Sequence, residues 1–259
     1  MSLISKIPSN SPFRTPKIKS PEITAVITAH REGYLIPAPV ASMMAAIEKA
    51  EAYGLKVESV AYLDNPDSIT REVYSRLPPR FEIREVMFKD QGKVRNHAAQ
   101  AAAGKYIAFL DADDHWSINW LTNAYKMMQK HDPDNTILHP EFNWFFDGSN
   151  GLHVQIDDDD EDFSNDLLRI VNYWDALSFA SKNIHLKFPY ADRDVAAGYA
   201  FEDWQWNCET IQAGLRHRIV KDTIIFKRRR NNSQTMKASR NKTMPRTVDF
   251  FRYDSFNKI

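Results

Sequence analysis

The chain has 259 residues, 34 Lys and Arg against 34 Asp and Glu, and a single cysteine, Cys208. One cysteine excludes a disulfide scaffold and any zinc site built on two or more thiolates, and a zero net charge argues against a dedicated nucleic-acid binder. No apolar run approaches the ~20 residues of a membrane helix, and Pro8, Pro12 and Pro16 break any signal-peptide core. The composition therefore predicts a soluble, cytoplasmic globular protein.

The neutral total hides an uneven layout. Residues 1–20 carry Lys6, Arg14, Lys17 and Lys19 without an acid and read as a flexible lead-in ending near residue 21. Residues 147–166 hold eight acids and no Lys or Arg, which predicts a solvated loop. Residues 221–259 carry eleven basic residues against three acids. This basic tail, set apart from residue 231 onward, is suited to a phosphate-bearing ligand or to contact with the inner face of an anionic membrane.

Organised sequence begins at Glu22. Residues 23–28 form a β-branched apolar run, predicting a buried strand. Val40, Met43, Met44 and Ile47 follow helical spacing up to Gly54. A second strand is predicted over 57–63, closed by Asp64-Asn65-Pro66, and a helix over 66–76 that stops at Pro78-Pro79. A strand over 81–88, an alanine-rich helix over 93–103 ended by Gly104, a wholly apolar strand over 106–110 and a helix over 117–130 complete the series. Such alternation with short connections predicts an α/β fold with a Rossmann-like, mostly parallel sheet. Beyond residue 133 the alternation decays and aromatics become dense (Phe142, Trp144, Phe145, Phe146, Tyr173, Trp174, Phe179), predicting an irregular half that shapes a substrate.

In open parallel sheets ligands bind at the carboxyl ends of the strands. The residues there are Thr28, Ala29, His30, Arg31 and Glu32, then Asp64 and Asn65, then residues 89–92, then Asp111, Asp113 and Asp114. Neither a GxGxxG turn nor a P-loop is present, so a diphosphate here calls for a divalent cation on carboxylates. Asp111 and Asp113 alternate on an extended segment and can face one cavity, a hard oxygen pair suited to Mn²⁺ or Mg²⁺. The competing reading is that Asp114 or Ser117 simply caps the next helix.

The stretch KVRNHAAQAAAGKYIAFLDADD over residues 93–114 resembles the core of the family-2 glycosyltransferases of GT-A fold. Flanking pieces agree: residues 23–32 sit at the family's first strand and loop, Asp64 at its base-binding Asp, and Phe201-Glu-Asp-Trp204 at its Glu-Asp motif. The resemblance covers residues 22–230, which divide into a nucleotide-binding half (22–132) and an acceptor half (133–230).

It implies an inverting, metal-assisted transfer of one sugar from a nucleoside diphosphate donor, a UDP-sugar above all. The acceptor would be a hydroxyl of a glycan, a lipid-linked glycan or a protein glycan. The implied roles are Asp64 on the pyrimidine, Arg95 beside that base, Asp111 on ribose or sugar, Asp113 on the metal and Asp203 as general base. Thr28, His30, Glu32, Lys93 and Arg230 (or Arg229) would complete the donor side, with Glu202 and Trp204 toward the acceptor.

Plainer roles stay open for several of these residues. Asp203 and Glu202 also suit a helix start, Trp204 or Trp206 must be core, and residues 227–230 also suit a solvated basic turn. The first loop departs from the family's pattern, and Asn231 replaces a His in the loop after the basic strand. A processive signature is absent after Asp203, which points to single transfers. Two other readings compete: a nucleotidyltransferase that makes the nucleotide sugar, and a non-catalytic glycan-binding or scaffold domain.

Overall fold

The computed structural model describes residues 18–77, 80–230, 236, 238 and 240–251. The lead-in through residue 17, the Pro78-Pro79 stop, residues 231–233 and most of the basic tail lie outside the described residues.

The first half follows the predicted alternation: β1 (Ile23–Ala29), α1 (Pro37–Ala52), β2 (Val57–Asp64), α2 (Ser68–Ser75), β3 (Phe81–Val86), α3 (Gln91–Ala101) and β4 (Tyr106–Asp111). Asp67 caps α2 by accepting from the Thr70 amide at 2.8 Å, and Asp90 caps α3 by accepting from the Lys93 amide at 2.9 Å. These four strands pair in parallel in the order β3-β2-β1-β4. β1 is buried at every position, as expected for a strand covered on both faces.

The second half is more regular than its pattern predicts. After β5 (His115–Trp116) and α4 (Trp120–Met128), the latter inside the predicted helix over 117–130, it comprises β6 (Thr136–Asp147), β7 (Gly151–Val154), α5 (Asn165–Leu168), β8 (Phe179–Ser181), α6 (Lys182–Lys187), α7 (Glu202–Gln212) and β9 (Arg216–Arg229). β6 and β9, of 12 and 14 residues, pair in parallel and extend the sheet as β4-β8-β6-β9-β5, with β7 on β6. Pro140 sits in β6 beside a register shift, the place where a missing amide is tolerated.

The acidic run is the largely exposed loop its charge predicts, but it is tied down near its middle. Asp158 is bound by Arg216 at 2.8 Å and by Arg218 at 3.3 Å, and Asp157 accepts from the Ile219 amide at 2.6 Å. Arg216 and Arg218, alternating on β9, pair with Asp158 and Asp159.

The main core joins the faces of β1, β2 and β4 to α1 and α4, while Leu168, Tyr173, Trp174, Cys208, Ile219 and Phe250 form a smaller cluster under α7. Gly104, at the entry to β4, lies directly on β1. A Cβ there would meet the Thr24 nitrogen at 2.5 Å and the Ile23 carbonyl carbon at 2.6 Å. Gly104→Ala is expected to destabilise the fold by about 1–3 kcal/mol, read as a lower midpoint in urea unfolding.

Candidate functional site

The strand order reverses between β1 and β4, and the crevice at their carboxyl ends opens into a cavity of about 350 Å³. Thr28 and Asp111 face each other across the β1–β4 ladder. One Asp111 oxygen, Oδ1, accepts from Thr28 Oγ1 at 3.0 Å, Gln91 Nε2 at 2.6 Å and Arg95 Nη2 at 2.9 Å. Three donors on one atom fix the carboxylate against the sheet. At the other end of the cavity Asp64 accepts from the Lys89 and Asp90 amides at 2.9 and 3.1 Å. His30 Nδ1–H donates to the Asp64 carbonyl, and the His30 amide donates to Glu32 at 2.6 Å.

Carboxylates crowd this cavity. Burial raises the pKa of Asp113, opposed by Arg230 and reinforced by Asp111, and burial likewise raises Glu32. Asp114, more deeply buried, is pushed up to about 7 by desolvation and the neighbouring aspartates, against the pull of Lys227. Two basic side chains answer them from the end of β9 and just beyond it. Arg230 donates to Asp113 Oδ2, and Lys227 lies 3.4 Å from Asp114 and 3.1 Å from Asp175.

A second cavity, of about 440 Å³, adjoins the first. Gln91, Asp111, Lys227 and Arg229 line both. Asp203 lies in the second, one residue into α7 from a left-handed Phe201 (φ 64°). Such a backbone in a bulky residue is strained and is characteristic of sites where a side chain must be aimed. Burial and the adjacent Glu202 push Asp203 up to about 6, while Arg95 opposes them. A carboxylate of that strength can take a proton near neutrality.

Residues 24–143 match the family model of glycosyl transferase family 2. The match covers just under half of the chain. No curated protein matches the chain. Among solved structures the chain resembles S. aureus TarS 1–349 in complex with UDP-GlcNAc, at 13% identity and a TM-score of 0.63 over 83% of this chain and 60% of that one. TarS 1–349 in complex with UDP gives 12% and 0.62 over 85% and 64%. The mannosyltransferase PcManGT from Pyrobaculum calidifontis, in complex with GDP-Man and Mn²⁺, gives 16% and 0.55 over 81% and 57%. The chain thus spans less than two thirds of these structures' length. The likeness shows the mixed α/β GT-A fold.

Of the predicted donor residues, Thr28, His30, Glu32, Asp64, Asp111, Asp113 and Arg230 line the first cavity. Arg95 is not part of that lining and lies at the second cavity instead, where it is 2% exposed and its guanidinium pairs with Asp111 and Glu202. Lys93, on the outer face of α3, pairs with Asp192 at 3.1 Å and lies outside both cavity linings. Glu202 and Trp204 join Asp203 in the second cavity, and Trp206 is core. Sequence reading missed Gln91, Asp175 and Lys227 as site residues. Lys227 was legible in principle, since strand alternation places it on the same face as Arg229.

Among the described residues no three His, Cys, Asp or Glu side chains gather to hold a metal ion. The set present, Asp113 with its pKa raised and Asp111 close by, does not make an all-protein cage. It fits Mn²⁺ or Mg²⁺ drawing most of its oxygens from a diphosphate and water.

Lys227→Met leaves Asp114 and Asp175 buried without their shared cation. A loss of about 3–5 kcal/mol in stability is expected, measured by denaturant unfolding at pH 7.5.

Proposed function

We propose that the protein is a family-2 glycosyltransferase that moves a single sugar from a nucleoside diphosphate sugar, a UDP-sugar, to a glycan hydroxyl with inversion. The observation that carries this reading is the pair of adjoining cavities, one holding the Asp113 and Arg230 charges, the other holding Asp203, with Asp111 between them. TarS, of the same fold, binds UDP and UDP-GlcNAc, which supports a uridine donor. On this reading residues 22–132 form the nucleotide-binding half and 133–230 the acceptor half.

Asp64 closes the nucleoside end of the donor cavity. Both its oxygens already accept backbone amides, so a pyrimidine N–H takes a remaining lone pair. Arg230 and Lys227 present positive charge where the diphosphate lies. Asp113 would hold a Mn²⁺ or Mg²⁺ ion, which supplies further positive charge at the departing diphosphate. Asp203 accepts the proton of the acceptor hydroxyl as its oxygen bonds to the anomeric carbon. The bond from that carbon to the diphosphate oxygen breaks on the opposite face and its electron pair leaves with the diphosphate. One displacement inverts the centre. Orientation of the two substrates across Asp111 and charge stabilisation at the leaving group supply the rate.

Screening nucleotide sugars for Mn²⁺-dependent turnover identifies the donor. In Asp203→Asn, UDP affinity by calorimetry is expected to stay unchanged while transfer falls about 10²–10⁴-fold; undiminished transfer removes Asp203 from the role of base. Asp113→Asn is expected to abolish the metal dependence of donor turnover with the melting curve intact, and a retained Mn²⁺ response would contradict the assignment.

A further inference from the structure

Arg95 occupies a place that nucleoside recognition does not explain. Its Nη2 donates to Asp111 at 2.9 Å, its Nη1 to Glu202 at 3.5 Å, and its guanidinium carbon lies 5.7 Å from the Tyr190 ring centre. Asp111 ends β4 and lines both cavities, while Glu202 begins α7 next to Asp203. Glu202 also lies 3.7 Å from Arg193, whose amide donates to the α3 cap Asp90 at 2.8 Å. One buried cation therefore joins the strand end at the donor cavity to the helix start at the acceptor cavity.

We propose that Arg95 is a positioning residue that locks Asp111 and the first turn of α7 into one arrangement, aiming Asp203 at the acceptor. This rests on Asp203 being the base. Arg95 acts through its two carboxylate partners.

The charges facing Asp203 set the sign of the test. Glu202 comes from its own helix, Arg95 from α3, Asp175 from the loop before β8, and Tyr190 and Arg193 from the loop after α6. Lys227 and Arg229 of β9 and His153 of β7 line the same cavity. Burial and Glu202 favour the protonated Asp203, and Arg95 favours the ionised form. Removing Arg95 should move the Asp203 midpoint up, and removing the Glu202 charge should move it down.

The experiment is a ¹³C NMR titration of the whole chain labelled at aspartate Cγ, with the Asp203 resonance identified by its disappearance in Asp203→Asn. Arg95→Met is expected to raise the midpoint by roughly one unit or more, Arg95→Lys to restore part of the shift, and Glu202→Gln to lower it. Unchanged midpoints in the folded Arg95 variants overturn the inference, and if Arg95→Met does not fold, Arg95→Gln is read in its place. The base assignment is read separately, from the transfer rate of Asp203→Asn. Normal transfer there overturns that assignment, and this inference with it, even where the midpoints move.

Discussion

A buried arginine held between two carboxylates is the contact on which the arrangement of the site depends. Arg95 is drawn out of water into α3's inner face, where desolvation disfavours its charge and Asp111 and Glu202 more than restore it. Such a pair contributes little net stability compared with a well-packed apolar replacement, but breaking it strands charge in a low-dielectric interior. Its consequence is geometric. The end of β4 and the start of α7, separated by some ninety residues of chain, are held at one distance, and the two cavities meet there.

The same logic organises the floor of the first cavity. Glu32, Asp113 and Asp114 lie close enough to raise one another's pKa or share a cation, and Arg230 and Lys227 hold them in partial balance. A diphosphate entering with a divalent cation brings charges of both signs. It can exchange partners with this set without leaving an isolated charge behind. Around Asp203 the balance differs: burial and Glu202 weaken the acid, which is the setting a proton acceptor needs near neutral pH.

Legibility in the sequence followed the physics of burial. β1, β2 and β4 were readable because strands covered on both faces are largely apolar, β3 at the sheet edge from its alternation after the Pro78-Pro79 stop, and the carboxylates at the strand ends then fell at the mouth of the sheet. β6 and β9 were not readable. β9 interleaves His217, Ile219 and Ile225 with Arg216, Arg218 and Lys221, and β6 carries Pro140, so neither reads as a simple buried run. The anchoring of Asp158 and Asp159 within the acidic loop was not readable, because their partners, Arg216 and Arg218, are some sixty residues away and only the β9 register presents them. Arg95 was recognisable as important from its motif, but its depth was not: a helical position does not say how far the helix is pressed into the protein. Lys227, in a run of four basic residues, looked like its neighbours until the fold turned it inward.

The account stands or falls on the chemistry of the first cavity. A crystal structure of the chain soaked with UDP and Mn²⁺ tests it most directly. The account predicts the diphosphate between Asp113 and Arg230, the ion bound to the Asp113 carboxylate, and the uracil at the Asp64 end. A well-ordered crystal in which that cavity holds neither nucleotide nor ion at saturating concentrations would contradict it.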